Sequence, residues 1–178
     1  TIQTVFTVIS GIIDNDGDYI DDNWEIENGL DPSDPSDMMS DGDGDLFGAV
    51  YEYIHGTDPR DAGSKPAPTV ILTPSDTIQA AIDAAADYDI IQLSNGTYRG
   101  EGNVDLDYRG KPVMLISANG PDNCLIDGEN LKPIIYFRGG EDRRSAVVGI
   151  SFQNGWDCPY QYETDLTWWD DWGENIII

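Results

Sequence analysis

Short apolar runs recur along the C-terminal half of the chain, separated by glycine, asparagine and aspartate. Ahead of them, apolar residues at i, i+3, i+4 and i+7 predict a helix over Thr77–Ala86, capped by Ser75 or Asp76. No segment with a helical period follows, although parallel strands are normally joined by helices. Runs that alternate 20 to 23 residues apart therefore predict short strands stacked in successive coils. The runs are Ile90–Leu93, Val104–Leu106, Val113–Ile116, Cys124–Ile126, Ile134–Phe137 and Val147–Phe152.

The polar pattern divides the chain into four regions. Thr1–Ile13 is rich in β-branched residues and nearly uncharged, which predicts an N-terminal strand. Residues 14–63 are strongly acidic, and residues 64–74 contain three prolines, which is typical of a linker. Residues 75–178 hold the helix and the short strands, followed by an aromatic tail.

The net charge of the chain limits the molecules that it can bind. The 178 residues include 34 Asp and Glu against 9 Lys and Arg, a net charge of −25. A chain this acidic repels nucleic acid and anionic membrane, and it contains no apolar run long enough to span a bilayer. Residues 14–61 alone carry a charge of −15. Such a density should prevent folding unless cations neutralise it.

The acidic region contains an internal repeat with a constant offset. An Asp run, a Glu and a Gly-x-Asp-Pro tail recur in the same order and at the same spacing. Two 12-residue loops then supply oxygens from positions 1, 3, 5, 7, 9 and 12, the spacing that calcium favours. The predicted ligands are Asp14, Asp16, Asp18, the Ile20 carbonyl, Asp22 and Glu25 in the first loop, and Asp41, Asp43, Asp45, the Phe47 carbonyl and Glu52 in the second.

Two features depart from the standard calcium loop. Position 6, where glycine normally allows a positive φ, is Tyr19 in one loop and Leu46 in the other. Position 9 of the second loop is Ala49, which offers no side-chain oxygen, so a water or another carboxylate must serve. The carboxylates available for this purpose are Asp31, Asp34, Asp37, Asp58 and Asp61.

The two D-x-D-G-D runs, with Trp24-Glu25 or Glu52-Tyr53 after them and Asp-Pro tails, resemble the bacterial relatives of thrombospondin type 3 repeats over about Asp14–Asp61. The resemblance implies at least two calcium ions, a role in rigidifying extracellular proteins, and no catalysis. Without metal, the same residues would form a solvated acidic linker. Two short helices should enclose a small core of Trp24, Ile26, Val50, Tyr51 and Ile54.

The later region resembles the right-handed parallel β-helix family with the pectate-lyase-like fold, over about Thr77–Gly155. The segments that carry this resemblance are Thr77–Ile82, Gly96–Tyr98, Ser117–Pro121, Cys124–Gly128 and Gly149–Gly155. It implies a mainly β fold: a short right-handed parallel β-helix with an N-terminal capping helix. Many members bind or cleave polysaccharides, so lyase-like activity is the alternative to a structural role. The residues available for it are Asp105, Asp107, Asp127, Arg138, Arg143 and Arg144, although no motif connects them.

The leading hypothesis is a calcium-stabilised structural module, extracellular or at the cell surface, that is not an enzyme. The apolar strand Thr1–Ile13 has no hairpin partner nearby, so it is predicted to add to the sheet of a neighbouring subunit and build a filament or surface layer. The aromatic tail could cover the last coil, form a subunit interface or contact sugar. Cys124 and Cys158 could form a disulfide or remain separate. A fragment of a longer surface adhesin is the second alternative.

Overall fold

A computed structural model of the chain describes residues 12–156. The predictions for residues 1–11 of the N-terminal strand, for Cys158 and for the aromatic tail beyond Trp156 concern residues outside this range, and Ile12 and Ile13 are not in a strand. The chain divides between Pro66 and Ala67 into two compact units. We call residues 12–66 the acidic unit and residues 67–156 the β unit.

The acidic unit contains two seven-residue helices and one 3₁₀ turn. Helix α1 spans Asp22–Asn28 and helix α2 spans Ala49–His55, with the 3₁₀ turn at Asp37–Met39 between them. Each helix ends at a glycine with a positive φ, Gly29 at 86° and Gly56 at 70°. Glycine is favoured at this position because a Cβ atom strains the left-handed conformation.

The core of the acidic unit differs from the one predicted. Val50 and Tyr51 are buried as expected, but Ile26 and Ile54 are 65% and 45% exposed, so their prediction as core residues is wrong. Both lie on the solvent side of seven-residue helices that are too short to bury two faces. The buried apolar residues are instead Ile20, Met38, Phe47, Ala49, Val50 and Tyr51.

The β unit is mainly β, and every pairing between its named strands is parallel. The strands are β1 Val70–Leu72, β2 Ile90–Leu93, β3 Gly96–Arg99, β4 Leu106–Asp107, β5 Met114–Ser117, β6 Cys124–Asp127, β7 Ile135–Tyr136, β8 Ala146–Val148 and β9 Ser151–Gln153. They form three sheets, ordered β1-β2-β5-β8, β3-β6-β9 and β4-β7. From β2 to β9 the chain visits these sheets in one unchanging order.

The register of the sheets places aliphatic residues of successive strands next to one another. In the largest sheet Val70 pairs with Ile91, which pairs with Leu115, which in turn pairs with Val147. Ile91 and Leu115 are fully buried in the core cluster. The predicted apolar runs thus supply the interior of the β unit. Each strand places an inward-pointing apolar residue at the register position that matches its neighbour.

Several elements of the β unit differ from the predictions. The predicted run Val147–Phe152 is divided between β8 and β9, which belong to different sheets, and β3 is not among the predicted runs. The segment 64–74 is not all linker, since Val70–Leu72 forms strand β1 and pairs with β2. Helix α3 spans Ile78–Ala84, and neither Ser75 nor Asp76 caps it. The Ile78 N–H instead donates to the Asn103 side chain at 2.9 Å, and the Gln79 N–H donates to the Gly102 carbonyl. No helix among residues 12–156 is long and apolar enough to cross a membrane.

Candidate metal centres

The first loop winds around the carboxylate of Asp14. Its Oδ1 accepts the N–H groups of Gly17 and Asp18 at 2.7 and 3.2 Å, and its Oδ2 accepts the N–H of Tyr19 at 3.1 Å. Gly17 and Tyr19 have φ of 82° and 81°. Three hydrogen bonds to one side chain thus curl the backbone into a tight turn.

The second loop repeats these contacts at the equivalent positions. Asp41 Oδ1 accepts the N–H groups of Gly44 and Asp45 at 2.8 and 3.1 Å, and its Oδ2 accepts the N–H of Leu46 at 2.9 Å. Leu46 has a φ of 82°. The side chains at position 6 are half exposed, at 50% for Tyr19 and 52% for Leu46. Both residues therefore adopt the conformation that glycine normally supplies, held by the Asp at position 1.

The remaining loop aspartates each use one oxygen in the turn. Asp16 Oδ1 accepts the Asp18 N–H at 3.3 Å, and Asp18 Oδ1 accepts the Ile20 N–H at 2.8 Å. In the second loop Asp43 and Asp45 accept the N–H groups two residues further on, at 3.2 and 2.9 Å. The second oxygen of each of these four carboxylates is buried and has no hydrogen-bond donor.

The first cluster consists of Asp14, Asp16, Asp18, Glu25 and Asp37. Ligand oxygens of Asp14, Asp16 and Asp18 lie within 4.8 Å of one another, and so do those of Asp18, Glu25 and Asp37. Helix α1 positions Glu25, which is fully buried with neither carboxylate oxygen bonded. The 3₁₀ turn brings in Asp37, whose Oδ2 accepts the Asp31 N–H at 2.8 Å while Oδ1 is buried without a donor. These carboxylates could hold a metal ion.

The second cluster consists of Asp41, Asp43, Asp45 and Glu52. Ligand oxygens of the three aspartates lie within 4.8 Å of one another. Helix α2 supplies Glu52, which is fully buried with Oε2 lacking a donor. Glu52 Oε1 accepts a hydrogen bond from Thr57 Oγ1 at 3.3 Å. Sequence analysis identified the carboxylates but missed Thr57.

Several predicted carboxylate ligands are not brought into either cluster. Both oxygens of Asp22 accept hydrogen bonds from Asn15, one from its N–H at 2.9 Å and one from its side-chain amide. Ile20 and Phe47, predicted as carbonyl ligands, are buried beside the loop aspartates to which their N–H groups donate. The other predicted carboxylates accept the N–H two residues ahead in tight turns: Asp31, Asp34, Asp58 and Asp61.

Burial and mutual repulsion raise the pKa values of Asp18, Glu25 and Glu52, so these carboxylates resist ionisation. Desolvation, followed by repulsion from Asp18 and Asp16, raises the pKa of Glu25 to about 7. Desolvation, followed by repulsion from Asp45 and Asp43, raises the pKa of Glu52 to about 7. Desolvation likewise raises the pKa of Asp18 to about 6. Such shifts mark carboxylates that are crowded together without a neutralising charge.

The acidic residues of the β unit are arranged differently. Lys132 pairs with Asp105 at 3.0 Å and Arg138 pairs with Asp107 at 3.2 Å. Asp127 is buried and accepts bonds from Arg99, Gln153 and Asn154. Arg143 also interacts with other groups of the chain, and the Arg144 guanidinium donates to the Asp142 carboxylate. The carboxylates proposed for polysaccharide cleavage thus each have a cation of their own, and none is in a metal-type cluster among the described residues.

Comparison of the chain with protein-family models, with curated proteins and with solved structures finds no match. The resemblances to thrombospondin type 3 repeats and to the parallel β-helix family therefore stay predictions.

Proposed function

We propose that the acidic unit binds two calcium ions, one at each cluster, and that these ions hold it folded. The observation that carries this proposal is a set of eight buried carboxylate oxygens without a hydrogen-bond donor among the described residues. All eight belong to the two clusters. A buried carboxylate without a partner costs roughly several kcal/mol, so an arrangement with eight such oxygens favours a bound cation.

The donor set favours calcium over other metals. The side chains that make up the two clusters all offer hard carboxylate oxygens, whereas zinc and copper prefer histidine or thiolate. The single histidine, His55, stacks on Tyr51, and Cys124 is buried in the β unit. Magnesium usually keeps several waters and takes one or two carboxylates, but the first cluster has five. Calcium accepts six to eight oxygens in flexible geometry.

Thermal unfolding with and without calcium tests the proposal. Calcium should raise the melting temperature of the wild-type chain and should have little effect on the double variant Glu25→Gln, Glu52→Gln. The matched control is Glu27→Gln, Glu101→Gln, because both of these glutamates are exposed. A wild-type melting curve that is identical in calcium and in excess chelator would refute the proposal.

We also propose that the β unit is a short right-handed parallel β-helix whose first coil is capped by α3. The chain contributes strands to three parallel sheets in a repeating order, and this order supports the proposal. A coil that contributes one strand to each sheet needs no helix to connect parallel strands. Ile78 and Ile82 of α3 are fully buried in the core cluster, as a cap over the coil interior requires.

The whole chain is then an extracellular or cell-surface structural module that assembles by strand addition. The net charge of −25 and the calcium sites support this location, because extracellular modules bind calcium at its high external concentration. Ile12 and Ile13, at the end of the predicted N-terminal strand, are both exposed. Strands β1 and β8 are the outermost strands of the largest sheet among the described residues, and such edges accept an added strand.

Electron microscopy of the purified chain tests assembly. Filaments should form in calcium, and a chain lacking residues 1–13 should not form them. Filaments that disappear in chelator would link assembly to the ions. Discrete particles under both conditions would contradict the assembly proposal and would favour the polysaccharide alternative, to be checked with a polysaccharide panel.

A further inference from the structure

The two repeats of the acidic unit share the hydrogen bonds of their tight turns. Three of the substitutions between them change the groups that contact the clusters. The turns after the helices illustrate the match. The Asp34 and Asp37 N–H groups donate to Asp31 and Asp34 carbonyls, and those of Asp61 and Ser64 donate to Asp58 and Asp61 carbonyls. Differences at the clusters therefore reflect particular side chains and not a different backbone.

The first difference is Ser64, which occupies the position of Asp37. Asp37 Oδ2 accepts the Asp31 N–H at 2.8 Å, and Ser64 Oγ accepts the corresponding Asp58 N–H at 3.0 Å. Asp37 keeps a second, buried oxygen for the first cluster, whereas serine has only one. The second cluster thus lacks the fifth carboxylate.

The second difference concerns the glutamate that closes each cluster. Both oxygens of Glu25 are buried without a donor, and the residue at the position of Thr57 in the first repeat is Leu30, whose side chain cannot donate. In the second repeat Thr57 Oγ1 bonds Glu52 Oε1, so one oxygen of that carboxylate already has a partner. Five oxygens without donors face the first cluster and three face the second.

The third difference is a positive charge. Lys65 corresponds to the buried, uncharged Met38. Its Nζ donates to the Asp45 carbonyl at 3.4 Å. A lysine ammonium that contacts the backbone of the second loop places a positive charge beside the second cluster, and this charge opposes binding of a cation there.

From these three differences we infer that the two calcium sites are unequal, with a tight site at the first cluster and a weaker, reversible site at the second. This inference rests on the proposed calcium binding. Calcium affinity in oxygen sites follows the number of charged ligands, so the loss of one carboxylate and the presence of Lys65 should separate the two dissociation constants by about tenfold or more. The second site is then the one that responds to changes in calcium concentration.

Titration calorimetry of the full chain with calcium tests the inference. Two binding events should be resolved, and Glu25→Gln should remove the tighter one while Glu52→Gln removes the weaker one. Asp37→Ser should weaken the tight site about tenfold while keeping the hydrogen bond from Asp31. Ser64→Asp should strengthen the weak site by a similar factor. Ala62→Asp is the matched control, because it adds the same charge at an exposed position two residues away.

Lys65→Met provides a second route to the same result. It reproduces the residue of the first repeat, adds no carboxylate and should also strengthen the weak site, so the inference stays testable if Ser64→Asp does not fold. Two events of equal affinity, unmoved by Asp37→Ser and Lys65→Met, would overturn the inference and leave calcium binding in place. Absence of any binding to the wild-type chain would overturn both.

Discussion

The acidic unit and the β unit differ in the chemistry of their buried side chains. The β unit encloses stacked aliphatic and aromatic side chains, such as Ile91, Leu115 and Tyr98, and its buried Asp127 is fully bonded. The acidic unit buries Asp18, Glu25, Asp45 and Glu52 with oxygens that lack donors. Burial of apolar surface stabilises the first interior without any ligand, whereas the second needs a counter-charge. A perturbation that affects one unit strongly should therefore have little effect on the other.

The largest difference should follow removal of calcium. In excess chelator the acidic unit loses its proposed counter-ions, and the amides of α1 and α2 should lose protection from hydrogen exchange by orders of magnitude. The amides of β2 and β5 should keep theirs, because their pairing and core involve no ion. Equal loss of protection in both units would show that they unfold together, contrary to this expectation.

Truncation of a core side chain should destabilise only the β unit. Ile91 is fully buried in β2, so Ile91→Ala should lower the free energy of unfolding by about 3 kcal/mol, as cavity-forming substitutions do. The matched control is Ile71→Ala in the neighbouring strand, where the side chain is 58% exposed and the loss should be small. Urea unfolding measures both. Calcium affinity should be unchanged in either variant.

Removal of a buried charge should have opposite effects with and without the metal. Glu25→Gln keeps the size of the side chain but removes a charge that has no partner in the metal-free state. In chelator the variant should be more stable than wild type by about 1 kcal/mol or more, and in calcium it should be less stable. Exposed Glu27→Gln should change neither value. A loss of stability under both conditions would show that Glu25 acts through packing alone.

The pH dependence of the metal-free chain should also be inverted by calcium. The folded-state pKa values of Glu25 and Glu52 are about 7, above the ordinary glutamate value of 4.5, so the folded state binds more protons than the unfolded state. Stability of the metal-free acidic unit should therefore be greatest below about pH 4.5 and should fall as the pH rises to 7. In calcium it should rise over the same interval, because protons and metal compete for the same oxygens. Urea midpoints at pH 5 and pH 7 measure both trends.

The smallest effect should come from the turn at position 6 of each loop. Tyr19 and Leu46 both have a positive φ, which costs an ordinary residue about 1 kcal/mol. Tyr19→Gly and Leu46→Gly should therefore stabilise the folded loop by up to about that amount, less the greater freedom of glycine in the unfolded chain. Gly17→Ala is the opposite control, since it places a Cβ at a φ of 82° and should destabilise. Calorimetric melting in calcium measures these changes.

Much of the acidic unit could be predicted because its structure is local. The constant offset between the two Asp runs identified two equivalent loops, and the alternation of aspartates placed the carboxylates of each loop around one point. Local hydrogen bonds from Asp14 and Asp41 to residues three to five positions ahead form these turns, so nearby sequence is enough.

Other features depend on residues distant in sequence. No local signal distinguishes Asp37, which joins the first cluster, from Asp31 and Asp34, which do not. The N-terminus of α3 is capped by the Asn103 side chain, which accepts the N–H of Ile78 from 25 residues further along the chain. Strand β1 is three residues long and follows a proline-rich segment, and only its pairing with β2 makes it a strand.

The sequence by itself determined the repeat, the carboxylate-rich loops, the apolar face of α3 and most of the parallel strands, because each of these follows from the spacing of residues along one segment. Only the tertiary structure decided which carboxylates meet, which of their oxygens remain without a donor, and which polar groups complete a helix end. These outcomes depend on how separate segments pack. The spacing of Asp22 predicts a metal ligand, but in the folded chain both of its carboxylate oxygens accept hydrogen bonds from Asn15.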